Sequence, residues 1–463
     1  MAFLRLHSIL LGDLEMRILN KTLIMATLVM GIGLASGAYA QSNVLTEDFF
    51  HMGNDLGVGA RALGLGGAYT AISDDYTAMY WNPAGIGQMK RREFNIGFSQ
   101  NSIKSDALFL GTGAETADSF TRLNSIGLVF PVPTARGSLV FGVGYDKGRD
   151  YDAMVDVGAL TIDSLYQTNS ILDEGSRNQF TLSGSIEVSP NLFMGAGINF
   201  INGHIDHSSE FMNEDKFDLY FSPGDEADPT DDADWSYYKQ HQTLGSDIDG
   251  TNLKLGLLYR SGNLWRLGAS VTLPTTYTIT ENWGWSETEF YDAEHDAWYD
   301  EDEGTYKYQY TEPYAASVGF SAKLLDLLLL SGDAEFRDWT QAKFEDDPPI
   351  SGMERTAANR AIKKEMQAVT RLRAGAEISV PATNLRLRGG LFSDPSPYKD
   401  SVIRPDRTYY SGGLSFMMDK QAMLDLTYVR GSWEESRSDD LSDGPITMDR
   451  SLQKIIATLS LRF

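Results

Sequence analysis

The chain has 463 residues, a formal net charge of -25 and a pI near 4.6. That acidity excludes nucleic acid as the partner, because binding phosphates needs a basic face. The absence of cysteine excludes disulfides, thiolate metal sites and cysteine nucleophiles. Length alone suggests two or three soluble domains, but a single closed sheet also consumes a chain of this size. Aromatic residues at 11% and 44 glycines are the mixture expected of alternating barrel strands with aromatic girdles.

The first forty residues read as an export signal. Arg17 and Lys21 precede the apolar run Leu23–Ala35, and Ala38-Tyr39-Ala40 fits the small-residue cleavage rule, with cleavage after Ala40. The run is shorter than the roughly 20 residues a membrane-spanning helix needs. Met16 makes a better start than Met1, because Asp13 and Glu15 otherwise stand in front of a region that ought to be basic.

Seven glycines fall between Gly57 and Gly87, enough to ruin a regular helix and to burden a strand, so the segment needs a host to pack against. Gly64, Gly66 and Gly67 allow close backbone approach and positive φ. Asp74-Asp75 supplies a buried or bridging charge, and Asn82-Pro83-Ala84 opens on a rigid extended or turn dipeptide. Gly64-x-Gly66-Gly67 lacks the spacing, strand and helix of a dinucleotide-binding loop.

From Glu93 onward, segments of about ten residues alternate apolar and polar side chains, the period-two signature of a sheet with two different faces. Strands are expected near Glu93–Ser99, Asn124–Val132, Gly137–Lys147, Arg177–Val188, Leu192–Gly203, Thr251–Arg260 and Leu264–Leu273. Seven more are expected near Tyr314–Lys323, Leu327–Trp339, Thr370–Val380, Leu385–Phe392, Thr408–Met417, Ala422–Arg430 and Lys454–Phe463. Short turns alternate strictly with long excursions, so the two ends of the sheet face different compartments, as in outer-membrane barrels. A short surface helix is expected within Met353–Ala368.

The run from Gly59-Ala60-Arg61-Ala62-Leu63-Gly64 through Ser73-Asp74-Asp75 to Trp81-Asn82-Pro83-Ala84-Gly85 resembles the N-terminal hatch of the FadL-type outer-membrane transporters of long-chain fatty acids and aromatic hydrocarbons. The Asn-Pro-Ala tripeptide after an Asp-Asp pair is that family's signature. The resemblance implies an all-β fold: a transmembrane antiparallel β-barrel of about fourteen strands, residues 93–463, plugged by a hatch over residues 41–92 and preceded by a signal over 1–40. It implies passive transport of a hydrophobic small molecule. The outer loops capture it, the lumen and a rearranging hatch pass it on, and a lateral opening releases it. The alternatives are a PorV-like component of a protein-secretion system and a purely structural barrel.

Within this frame three groups of residues stand out. Arg371 and Arg373 share an inward face with Glu377, Arg386 and Arg388 lie on the next strand, and Arg337 with Asp333 and Glu335 on the preceding one. This basic band is either a charge-paired wall gripping Asp74 and Asp75 or a carboxylate site for a fatty acid. Gly142 and Gly144 occupy consecutive inward positions on the third strand, where glycine marks a bend or leaves room for the plug. In FadL-like barrels that strand is kinked to open the wall, so the resemblance puts the lateral opening there. The excursions His204–Gly250 and Glu281–Glu312 hold thirteen and eleven acidic residues. They also hold Trp235, Tyr237, Tyr238, Trp283, Trp285 and Trp298, which form either a ligand groove, as the family's third and fourth outer loops do, or an interfacial aromatic rim.

No arrangement of residues argues for catalysis, for a cofactor, or for a metal at His204-x-Asp206-His207 or the acidic runs. The partners expected are the hydrophobic ligand, outer-membrane lipid and lipopolysaccharide, and the barrel-assembly machinery that recognises a terminal aromatic such as Phe463, with the protein acting as a monomer.

Overall fold

The structure, a computed structural model, describes residues 55–219, 221–222, 233–262, 264–291, 297–325, 327–349, 353–400, 404–437 and 442–463. The signal segment, the first part of the expected hatch (41–54) and the acid-rich positions 223–232 lie outside them.

Fourteen antiparallel strands form the wall among the described residues. They are β1 (Glu93–Phe109), β2 (Thr112–Val132), β3 (Leu139–Asp150, resuming as Ala153–Leu160), β4 (Tyr166–Ser189), β5 (Leu192–Glu214), β6 (Ala233–Ser261) and β7 (Trp265–Thr272, resuming as Thr275–Tyr291). The remainder are β8 (Trp298–Glu312, resuming as Ala315–Leu324), β9 (Leu328–Asp338), β10 (Ala368–Ser379), β11 (Leu385–Asp394), β12 (Arg407–Met417), β13 (Ala422–Arg437) and β14 (Ile446–Arg462). Each pairs with its sequence neighbour, and β1 pairs with β14 from Glu93–Arg462 to Leu108–Thr447, which closes the ring. Closure leaves no sheet edge to satisfy in hydrocarbon.

The side-chain alternation decides which face meets lipid. On β5, Met194, Ala196, Ile198 and Phe200 are exposed while Gly197 and Asn199 are buried. Phe98, Phe130, Phe141, Phe180, Phe320 and Phe416 continue the exposed apolar band. The inward set is polar, with Asn95, Ser99, Thr181, Ser183, Asp425 and Thr458 all buried. Apolar-out and polar-in is the arrangement of a membrane barrel and the reverse of a soluble sandwich.

Two expectations need correction. The excursions His204–Gly250 and Glu281–Glu312 are largely strand: β5 runs to Glu214, β6 spans 29 residues, and β7 and β8 stay paired out to Glu289–Trp298. A bilayer needs only about 9–11 residues per strand, so these strands rise from the membrane as a tower. Its period-two pattern escapes an apolar/polar reading because the outward face there meets water and carries acid. Tyr277-x-Ile279 and Tyr308-x-Tyr310, all buried, are the alternation that marks it. β7 and β8 break at one common level, where Pro274 and Pro313 cannot donate to the ladder.

Secondly, the glycine-rich segment does form helical turns. These are α1 (Ala60–Gly64), α2 (Ala78–Trp81) and a 3-10 turn over Pro83–Gln88. The first ends on Gly64, the second has no glycine, and the 3-10 turn holds Gly85 and Gly87, while Gly59, Gly66 and Gly67 lie outside them at positive φ. The expected helix of the fifth outer connection is α3 (Arg355–Glu365).

Residues 55–89 lie inside the ring. Ala60 N–H donates to Thr458 on β14 (3.2 Å), and the Thr427 hydroxyl on β13 donates to the Ala60 carbonyl (2.5 Å). Thr70 N–H donates to Asp333 on β9 (2.7 Å). Asn82 Nδ2 donates to the Leu257 carbonyl on β6 (3.1 Å), and Ser185 on β4 donates to the Ala84 carbonyl (3.0 Å). The wall yields to the segment at four places where glycines face each other across neighbouring strands: Gly127–Gly144, Gly195–Gly256, Gly268–Gly319 and Gly375–Gly390. A Cβ at any of them would overlap the segment: Tyr76 at the first pair, Pro83-Ala84 at the second, Thr70-Ala71 at the third, Leu65-Gly66 at the fourth. Gly195→Val should therefore leave a heat-modifiable folded barrel but expose residues 55–89 to protease, the overpacking costing about 1–3 kcal/mol of seating. Unchanged protease resistance would show that the close fit is not needed.

Candidate functional site

Going inward from the outer end, the tower and the fifth connection enclose an apolar cluster. Tyr277, Ile279, Tyr308, Tyr310, Ile201, Ile205 and Ile248 pack with Trp339, Phe344, Met366 and Tyr398. Helix α3 closes over it through Ala358, with Met353 and Ile362 packed alongside. Its other side is exposed and basic, with Arg360, Lys363 and Lys364 facing water. Sequence reasoning found the helix but not its covering role, since an apolar stripe does not say which cluster it meets.

Of the aromatic residues expected to form an outer groove, Tyr238, Trp283, Trp285 and Trp298 share the tower face that carries Tyr277 and Ile279. Tyr237 turns to the opposite face and stacks on Phe290 with ring centroids 5.3 Å apart. Trp235 sits across a register shift from Tyr291. The six residues therefore do not share one groove. A cleft of about 440 Å³ on the tower is lined by His241, Thr243, Trp285, Tyr299 and Glu301 among others.

Beneath the apolar cluster lies a polar chamber of about 110 Å³ between the inserted segment and β3 to β10. Its lining holds Arg177, Lys254, Arg337, Arg371 and Arg373 against Asp55, Glu312 and Glu335, an excess of positive charge. Glu312 accepts from Arg177 (2.8 Å) and Arg337 (3.0 Å). Lys254 Nζ donates to the Tyr80 carbonyl and lies 5.2 Å from the Tyr80 ring centroid. Lys254, Arg177, Glu312 and Asp55 were not singled out from the sequence, because charges on separate strands give no local pattern.

The basic band is charge-paired. Arg371 reaches Asp55 (3.1 Å) and Asp394 (2.7 Å), and Arg373 reaches Glu335 (3.0 Å) while lying over the Trp81 ring. Arg388 bridges Glu377 (2.6 Å) and Asp425 (2.7 Å), and Arg386 stands 3.7 Å from Glu377. The band does not grip Asp74 and Asp75 directly, as the sequence reading had it. Asp74 is held by Arg61 of the segment and by Arg266 on β7 (3.1 Å), while Asp75 receives the Tyr69 hydroxyl (2.7 Å) and caps Thr77 N–H (2.9 Å). The link runs through Arg61, whose Nε donates to Glu377 (3.1 Å).

Around these charges Gly64, Gly66 and Gly67 bring the backbone against the wall. Gly66 packs on the Leu391 and Ala374 backbone, and Gly64 on Thr427 and Arg388. Asn82 is extended; its side chain holds the Thr70 and Leu257 carbonyls and accepts from Ala84 N–H, so Pro83 starts the 3-10 turn from a fixed position.

Gly142 and Gly144 lie within an intact ladder, opposite Val129 and Gly127, with Met79 and Tyr76 filling the space above them. They are room for the segment, and the departure of the third strand lies beyond them. Pairing between β2 and β3 ends at Ser125–Asp146, a register shift follows at Lys147–Arg149, and β3 then turns inward. Lys454 of β14 reaches Asp150 (2.9 Å), and Arg122 of β2 reaches Asp152 (2.6 Å). Val155, Val157 and Ala159 pack on Ala107, Phe109, Ile446 and Met448, inside the wall. Residues 112–124 of β2 thus have no ladder partner on that side among the described residues.

A closed, lipid-facing fourteen-stranded barrel with a segment packed in its lumen defines a plugged outer-membrane barrel. The chain belongs to the family of outer-membrane transport proteins described as OMPP1/FadL/TodX, whose profile matches residues 56–460. Among solved structures it resembles the Pseudomonas putida toluene transporter TodX, at 13% identity and a TM-score of 0.63, over 89% of this chain and 99% of that one. It also resembles a Pseudomonas aeruginosa FadL homologue (14%, TM-score 0.56, 88% and 98% covered) and the Ralstonia pickettii toluene transporter TbuX (16%, TM-score 0.53, 89% and 99% covered). Among curated protein sequences, none matches this chain.

Burial pushes the Asp74 carboxyl up, but Arg61 and Arg266 outweigh it and hold it well below the usual carboxylate range. Asp55 behaves alike, with Arg371 and Arg149 overcoming burial. Carboxyls depressed below their ordinary 3.8 stabilise the seated segment fully above that pH and lose their contribution as pH falls further. Resistance of residues 55–89 to pepsin should hold down to about pH 4 and fail only below it. Asp74→Asn should weaken seating already at neutral pH, by about 1–3 kcal/mol, less than a fully buried pair because Asp74 is 25% exposed. Loss of resistance near pH 6 in the native protein would contradict this assignment.

Proposed function

We propose that this outer-membrane protein carries a hydrophobic small molecule passively, without catalysis, and that the molecule leaves sideways between β2 and β3. The observation that carries the reading is the ladder ending at Ser125–Asp146, with β3 turned inward and the segment 55–89 closing the axial route. In this reading residues 1–40 are removed on export and residues 41–92 act as the hatch. Aromatic residues of the tower and the cluster beneath α3 take up the ligand, driven by burial of its apolar area. It then passes the hatch and enters the bilayer beside β2. The protein works as a monomer among lipid and lipopolysaccharide, assembled by the barrel machinery that reads Phe463. The protein-secretion alternative gains no support from the family match.

The chamber's excess positive charge favours an amphiphile with a carboxylate over a plain hydrocarbon. Arginines 371, 373 and 388 each already hold wall or hatch carboxylates, so replacing any one should weaken a fatty acid and its matching alkane alike, through lost seating. Lys254→Met is different, because its ammonium is held by a backbone carbonyl. It should lower fatty-acid binding and leave the alkane unchanged. Equal losses for both ligands would remove the headgroup role.

Hatch movement is tested by tying it down. The chain has no cysteine, so Ala60→Cys with Thr427→Cys places a single pair where the hatch meets β13. Oxidised protein should lose nearly all hydrocarbon uptake and regain it on reduction. Uptake unaffected by the cross-link would show that this part of the hatch does not move.

A further inference from the structure

We propose that Tyr76 is the staple that ends the β2–β3 ladder and stops the side opening from below, and that its withdrawal sets the rate of release. The proposal rests on the lateral-exit reading above.

Tyr76 is fully buried, and its ring lies on Gly127 and Gly144, the glycine pair two rungs below the last pair, Ser125–Asp146. A Cβ on either glycine would overlap the ring. The rung between them is Ile126–Tyr145, and the Tyr76 hydroxyl reaches both of its carbonyls, Ile126 at 3.0 Å and Tyr145 at 3.2 Å. One hatch proton is therefore shared between two strands at the level where they begin to part. Beyond that rung β3 is drawn inward by Lys454 on Asp150, while Arg122 on Asp152 still ties it to β2. Because the ring fills the space that the two facing glycines create, its departure leaves a slot one side-chain ring wide on the lumen side of the ladder, two paired rungs from the unpaired stretch of β2. A flat aromatic ring or a single extended alkyl chain fits such a slot, and a branched or globular solute does not.

The hatch keeps one seat at this residue that does not involve the side chain. Tyr76 N–H donates to Glu93 (2.9 Å), which in turn holds Arg462 (2.5 Å), and those contacts survive truncation. Loss of the staple is thereby separable from loss of the hatch.

The experiment compares Tyr76→Phe and Tyr76→Ala with the native protein in cells that depend on it for entry of pyrene, whose emission distinguishes bilayer from water. The same purified variants are run in planar bilayers for ion conductance. Tyr76→Phe should speed arrival of pyrene in the bilayer about fivefold, the scale of one lost hydrogen bond in a rate. Tyr76→Ala should speed it further, and neither variant should conduct ions. Unchanged rates in both variants would overturn the proposal. Ion conductance appearing together with faster entry would also overturn it, since the residue would then merely hold the hatch in place. If the native protein delivers pyrene to water, the lateral-exit reading fails and this proposal with it, an outcome read without any variant.

Discussion

The close seating of an inserted segment on paired wall glycines is the constraint from which the rest of the structure follows. A fourteen-stranded ring encloses more space than its own side chains fill, and the segment 55–89 occupies it at van der Waals distance only because glycine faces glycine at Gly127–Gly144, Gly195–Gly256, Gly268–Gly319 and Gly375–Gly390. Each pair sacrifices strand stability, since glycine has no side chain to pack and more backbone freedom to lose. That loss is offset by contact with the hatch. The fit joins these close approaches to buried apolar side chains of the segment, Leu63, Leu65, Ile72, Tyr76, Met79 and Ile86 among them, so it specifies position closely.

Charge adds to this packing. Asp55 joins Arg371 of one wall region to Arg149 of the displaced strand β3, and Arg61 joins Asp74 within the hatch to Glu377 across the lumen. Removing one member of such a set leaves an unpaired charge in a poorly solvated place, which costs more than the pair itself contributes. The same network leaves the chamber positive beside an outer tower rich in acid, so an anionic headgroup would cross from a repelling surface to an attracting interior.

Much of this was legible in the sequence. The period-two alternation of residues such as Met194, Ile198 and Phe200 against Asn199 placed the wall strands and their faces, because lipid on one side and a polar lumen on the other keep the contrast sharp. The same reasoning failed on β6 to β8 above the bilayer, where water replaces lipid and acid stands on both faces, Glu301 and Glu303 outward and Asp300 and Asp302 on the face of Tyr308. The arginines of β10 and β11 were read as facing inward, and they do. Their partners were misjudged, since Asp74 finds Arg266 and Arg61, and no local pattern links residues some 190 positions apart. Asn82, Pro83 and the glycines of the hatch were legible as a turn needing a host. Tyr76 and Lys254 carried no signal, because their meaning lies in what is opposite them.

The central claim is a path: down the tower face, past the hatch, and out where β3 leaves β2. It is tested most directly by flooding membranes containing the native protein with an alkane bearing a photoactivatable diazirine and mapping the adducts by mass spectrometry. Adducts are expected on the face of Trp283, Trp285 and Tyr277, on the hatch, and along the seam from residues 122–127 to 144–149, with none on the short turns at 133–138 and 189–191. Labelling that skips the seam and appears on those turns would mean that the ligand leaves along the barrel axis, and the account would be wrong.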